Sequence, residues 1–156
     1  MNSKNSRKKG VLLVHNLITS ESVLIPTSIF RDRRLSVFEA VVKYLKEERQ
    51  LNYHQISQIL GRDERNIWTI YDRLRKKNLA LDREKPEAIE ISDELVPAAI
   101  FLDRTVAVLE ALVVHLKDVS RLNYHEIGMI LGRNERTIWT AYARAKEKLR
   151  RRNGTR

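Results

Sequence analysis

The chain has 156 residues, 42% of them hydrophobic and 32% charged, enough apolar material for one domain or two small helical ones and too much for wholesale disorder. Thirty Lys and Arg against 20 Asp and Glu give a formal charge of +10, which makes a polyanion the first partner to consider. The lack of cysteine excludes disulfides and thiolate metal sites, and no apolar run approaches the roughly 20 residues of a membrane helix, so the expectation is a cytoplasmic, nucleoid-associated protein with no membrane partner.

Residues 1–22 read as a basic tail, Lys4 to Lys9, followed by the short apolar segment Val11 to Leu17. Beyond it the chain repeats itself. Residues 25–78 match 96–149 at a constant offset of 71, with 28 of 54 positions identical and no gap. Each copy is thus expected to fold into the same unit, the first over 23–80 and the second over 95–150, joined by an acidic connector over 81–94 and followed by a basic tail over 151–156.

Each copy opens on an apolar stretch, Leu24 to Phe30 and Leu95 to Phe101, where Pro26 and Pro97 forbid a helix interior and predict an extended arm or short strand. A first helix follows, with Phe38, Val41, Val42 and Leu45, or Leu109, Leu112, Val113 and Leu116, at i, i+3, i+4, i+7 spacing. Ser36 and Glu39 can form a capping box at its start, whereas the second copy has Ala107 there and Thr105 is its candidate cap. Asn52 with Gln55, and Asn123 with Glu126, announce a short second helix that ends at Gly61 or Gly132, where a left-handed residue is wanted. Asp63 or Asn134 can then cap a third helix burying Ile67, Ile70, Tyr71 and Leu74, or Ile138, Ala141, Tyr142 and Ala145. Two helices joined by so tight a turn describe a helix-turn-helix. The predicted fold is mainly α: two tandem three-helix helix-turn-helix units, each preceded by a short extended or β segment, packed with pseudo-symmetry.

The second copy, LNYHEIGMILGRNERTIWTAYARAKEKLR from Leu122, resembles region 4 of bacterial sigma factors and the related helix-turn-helix of response regulators. The matching features are Glu126-Ile127-Gly128, Leu131-Gly132, Ile138 six residues after that glycine, and the basic run from Arg144 to Leu149. The likeness spans about 30 residues per copy; the rest of a sigma factor is missing. It implies that the third helix enters the major groove while the second lies across the backbone, and that RNA polymerase is a further partner to weigh.

Stepping about 100° per residue from the buried Ile67 turns Arg65 and Thr69 away from the core, with Trp68 flanking them. Arg65, Trp68, Thr69, Arg136, Trp139 and Thr140 are therefore the candidates for base readout: Arg for guanine, Thr and Trp for the thymine methyl. Arg62, Arg73, Arg75, Lys76, Arg133, Arg144, Lys146 and Lys148 are the candidates for phosphate contact, which holds register without reading sequence. The expectation is a sequence-specific transcriptional regulator of duplex DNA reading two similar half-sites. A polymerase-docking module and a nonspecific packaging protein are the alternatives.

The blander readings place the two tryptophans in an interface between the copies, His54 and His125 in solvent or on phosphate, and Tyr53, Tyr71, Tyr124 and Tyr142 in the core. No Gly-rich phosphate loop, activated nucleophile or HExxH motif is present, so neither an enzyme nor a metal or other cofactor is expected. The apolar segment Val11 to Leu17 and the proline-containing arms are strands that can pair within one chain or across a homodimer.

Overall fold

A computed structural model describes residues 18–81 and 93–154, side chains of 78–81 excepted. The basic and apolar stretch before Ile18 and the connector from Asp82 to Ser92 lie outside the described residues. The chain is mainly helical, with a small two-stranded sheet. In order, the first repeat gives β1 (Leu24–Pro26), a 3-10 turn (Thr27–Phe30), α1 (Val37–Glu47), α2 (Tyr53–Leu60) and α3 (Glu64–Leu81). The second gives β2 (Leu95–Pro97), a 3-10 turn (Ala98–Phe101), α4 (Val108–Asp118), α5 (Tyr124–Leu131) and α6 (Glu135–Gly154). Among these described residues no helix is long and apolar enough to cross a membrane.

The local signals act as their chemistry dictates. Asn52 and Asn123 cap α2 and α5 through reciprocal bonds with Gln55 and Glu126, and Ser36 with Glu39 does the same for α1. In α4 the expected cap, Thr105, is not used, because the N-cap falls two residues later and the Thr105 hydroxyl accepts from Arg152 instead. Alanine 107 stands at the N-cap instead, and its amide donates to Glu110 at 2.8 Å, the half of a capping box that needs no hydroxyl. Gly61 and Gly132 end α2 and α5 at φ +59°, the left-handed region that a side chain pays roughly 1–2 kcal/mol to enter. Gln50 and Arg121 adopt φ of 53° and 61° after α1 and α4, so both first helices also close on a left-handed residue, without glycine.

Three expected boundaries shift. The proline arms are extended only as far as Pro26 and Pro97, and each winds into a 3-10 turn, since a proline is well placed just before a helical turn whose first amides need no partner. The basic tail at 151 is helical through Gly154; Glu147 pairs with Arg150 and Arg151, and Arg152 reaches Asp103 at 2.6 Å. Residues before Val23 are also not all tail, because Ser20 donates to the Ile59 carbonyl at 2.7 Å and accepts on its own carbonyl from Ala99.

The repeats share one core. β1 pairs with β2 in antiparallel register, Ile25 opposite Val96, and both residues are fully buried. The 3-10 turn of the first repeat packs on α5 of the second, that of the second packs on α2 of the first, and α1 touches α4. Phe30 and Phe101, each 1% exposed, fill these crossings. Val41, Val42, Leu45, Ile56, Leu60, Ile67 and Leu74 and their counterparts Leu112, Val113, Leu116, Ile127, Leu131, Ile138 and Ala145 complete a single apolar cluster. Each unit alone would expose the far side of its 3-10 turn to water, so intertwining adds burial to units of about 55 residues, a size at which a separate core is marginal.

Candidate nucleic-acid interface

The third helix of each repeat is entered through a side-chain cap. Asp63 accepts the amides of Arg65 at 2.9 Å and Asn66 at 3.3 Å, and Asn134 accepts that of Arg136 at 2.8 Å. Ile67 and Ile138 point into the core, which turns the neighbouring positions outward. Arg65 and Arg136 are exposed, and Trp68 and Trp139 are 51% and 56% exposed. The tryptophans therefore do not form an interface between the repeats. Thr69 and Thr140 lie beside them and donate their hydroxyls to the carbonyls of Arg65 and Arg136, both at 2.8 Å. With the hydroxyl hydrogen spent on its own helix, each threonine keeps only a methyl group and oxygen lone pairs for a partner.

In the second repeat an open groove of ≈ 560 Å³ runs between the start of α4 and α6, with Leu109 and Asn134 on its walls beside Arg136, Thr140 and Arg144. Below the tryptophans, His54 and His125 are exposed on α2 and α5 and face Glu64 and Glu135 at 3.4 and 3.7 Å. Each of these carboxylates stands in the first turn of the following helix, ten residues on from its histidine. Among the described residues no group of three His, Asp or Glu could hold a metal ion.

The candidate phosphate contacts divide into three sets. Arg73, Arg75 and Arg144 are exposed on the third helices. Lys76 is exposed but paired with Asp72 at 2.6 Å. Lys146 is held by Asp118 at 3.0 Å, and Lys148 by Glu110 at 2.8 Å. Burial pushes the Glu110 carboxyl up, but the Lys148 ammonium and the Ala107 amide outweigh it and hold the group below its ordinary value. Asp118 is lowered in the same way, burial being overcome by the Tyr142 hydroxyl and Lys146, while that bond to Asp118 raises Tyr142. The tyrosines are half-buried braces between helices: Tyr71 donates to Glu47 at 3.3 Å and Tyr142 to Asp118 at 2.8 Å.

Arg62 and Arg133 fold back toward the junction of the repeats. Arg62 stacks over Phe38 at 5.5 Å and donates to the Leu60 carbonyl, and Arg133 has a buried Nε with no hydrogen-bond partner among the described residues. Burial lowers both guanidinium pKa values, and Arg104 beside Arg62 and Arg33 beside Arg133 lower them further. Arg33 and Arg104 escaped the sequence reading. Their signal was identity at the offset of 71 in a loop, where core packing demands nothing of the side chain.

Comparisons with known protein families, curated proteins and solved structures find no match to this chain.

Proposed function

We propose that the chain binds duplex DNA with sequence preference and acts as a transcriptional regulator, its third helices α3 and α6 each reading one of two similar half-sites. The carrying observation is that both helices present the same outward set of Arg, a half-exposed Trp and a Thr. A large indole left in water in two places is unfavourable for the isolated chain and is repaid by contact with a partner. The positive charge of the chain selects a polyanion as that partner. The resemblance of each helix-turn-helix to sigma factor region 4 points the same way, since it assigns the third helix to the major groove.

On this reading Arg65 and Arg136 contact guanine, Trp68, Thr69, Trp139 and Thr140 meet thymine methyls, and Arg73, Arg75 and Arg144 neutralise phosphates. Lys146 and Lys148 serve the fold first, through Asp118 and Glu110.

Selection from random duplexes at about physiological salt, followed by titration of the winner against a scrambled control, tests the reading. An enriched motif is expected, and Arg65→Ala with Arg136→Ala should cost about 1–3 kcal/mol per lost guanine contact on the motif while leaving the scrambled duplex unchanged. Tight binding without a motif would replace specific readout with packaging, and no binding at all would transfer the exposed faces to a protein partner such as RNA polymerase.

A further inference from the structure

The contacts between the repeats obey an exchange rule. Adding 71 to one partner and subtracting it from the other turns the strand pairs, the backbone bonds next to them and the packing of turn on helix into contacts that are also present. The strand pair Leu24 with Pro97 becomes Pro26 with Leu95, and Ile25 with Val96 maps onto itself. The bond from the Thr27 amide to the Glu94 carbonyl becomes that from the Ala98 amide to the Val23 carbonyl, both at 2.9 Å. Gly61 lies against Leu102 and Gly132 against Arg31, which are again exchanged counterparts. The 3-10 turn of the first repeat on α5 becomes that of the second on α2.

Contacts that return in this way define an isologous junction, the signature of a twofold axis. A head-to-tail arrangement would join two different surfaces and return neither. The axis passes by the Ile25 and Val96 pair and relates α3 to α6 within one chain.

We propose that a single copy of the chain recognises a dyad-related pair of half-sites, an imperfect palindrome and not a direct repeat. This rests on the DNA-binding reading above. Both helices of a twofold object can engage one duplex equivalently only when its axis coincides with a dyad of the DNA, which places the half-site centres about 10–10.5 bp apart or at a multiple of that. The palindrome is imperfect because the outward faces differ: Asp72 corresponds to Ala143, and Asn66 to Thr137. A carboxylate accepts from a cytosine amino group, which the alanine cannot do.

The test uses the full chain and four duplexes built from the selected half-site at equal centre spacing: convergent, divergent, direct and single. One dyad-related arrangement is expected to bind at least about tenfold more tightly than the direct repeat and the single site, at one chain per duplex. The combined change Arg136→Ala and Trp139→Ala should reduce it to the single-site level while leaving the single site bound through α3. Tighter binding of the direct repeat, equal binding of all arrangements, or two chains per duplex would overturn the dyad proposal with DNA binding intact. Failure to bind even the single site would instead overturn the reading on which it rests.

Discussion

The groove beside α1 and its counterpart beside α4 occupy equivalent places in the two repeats and differ in polarity at their rims. In the first repeat ≈ 370 Å³ is lined by Arg31, Lys43, Tyr44, Glu47 and Glu48. In the second, ≈ 210 Å³ is lined by Val114, His115 and Val119, with Leu149 contributed by α6. Val119 is 65% exposed, where the first repeat has Glu48. The outward faces of α3 and α6 nonetheless keep Arg, Trp and Thr at the same three places. Core packing constrains neither surface, so the retention of these three side chains beside a diverged groove is what the proposed DNA-binding reading rests on.

The largest effect should come from the shared core. Leu45→Ala and Leu116→Ala each remove a fully buried side chain and should cost about 2–5 kcal/mol. Because the repeats intertwine, either change should move one cooperative unfolding transition in calorimetry. Two transitions, one of them unmoved, would show that the units fold separately.

Next comes the pair of clamps that join the first and third helices. Lys148→Met leaves Glu110, whose side chain is 9% exposed, without its cation and should cost on the order of 1–3 kcal/mol. Lys77→Met releases Glu39, 20% exposed, and should cost less than about 1 kcal/mol. Denaturant titrations that returned equal losses would erase this difference between the repeats.

The left-handed caps should behave alike. Gln50→Gly and Arg121→Gly relieve positive φ at equivalent helix ends, and each should raise stability by about 0.5–1 kcal/mol. A gain at only one end would show that the two caps are not equivalent.

The gentlest contrast is with pH. Burial lowers the His115 pKa against the opposing charge of Glu94, so the unfolded chain binds that proton more readily. Stability should decline as pH falls below about 6.5, and His115→Tyr, which copies Tyr44, should flatten that decline. The lowered carboxylates Glu39, Glu110, Asp32 and Asp118 contribute stability that is present above their ordinary values of 4.5 and 3.8 and is lost on further acidification. Thermal melts of wild type and variant across pH 3 to 8 resolve the two windows.

Much of this was legible along the chain because it is local. The i, i+3, i+4 spacing and the Asn52 and Asn123 caps involve residues within a few positions of one another, and the offset of 71 shows on aligning the chain with itself. Gly61 and Gly132 announced the tight turn because φ of +59° suits glycine above other residues. The outward placement of Arg65, Trp68 and Thr69 followed from helix geometry once Ile67 was assigned to the core, and the same holds for Arg136, Trp139 and Thr140. Three-residue strands have no period to read, and nothing near Pro26 or Pro97 specifies which arm should pair with which.

Sequence alone was thus sufficient for two like helical units and their outward faces, since helices are set by neighbours in the chain. Tertiary structure decided that the units share a core about a twofold axis, that Lys148 and Lys146 are tied to Glu110 and Asp118, and that Arg62 and Arg133 turn toward Arg104 and Arg33. Those outcomes depend on residues 28 to 100 positions apart, whose meeting is fixed by the burial of Ile25, Val96, Phe30 and Phe101 and by no local preference.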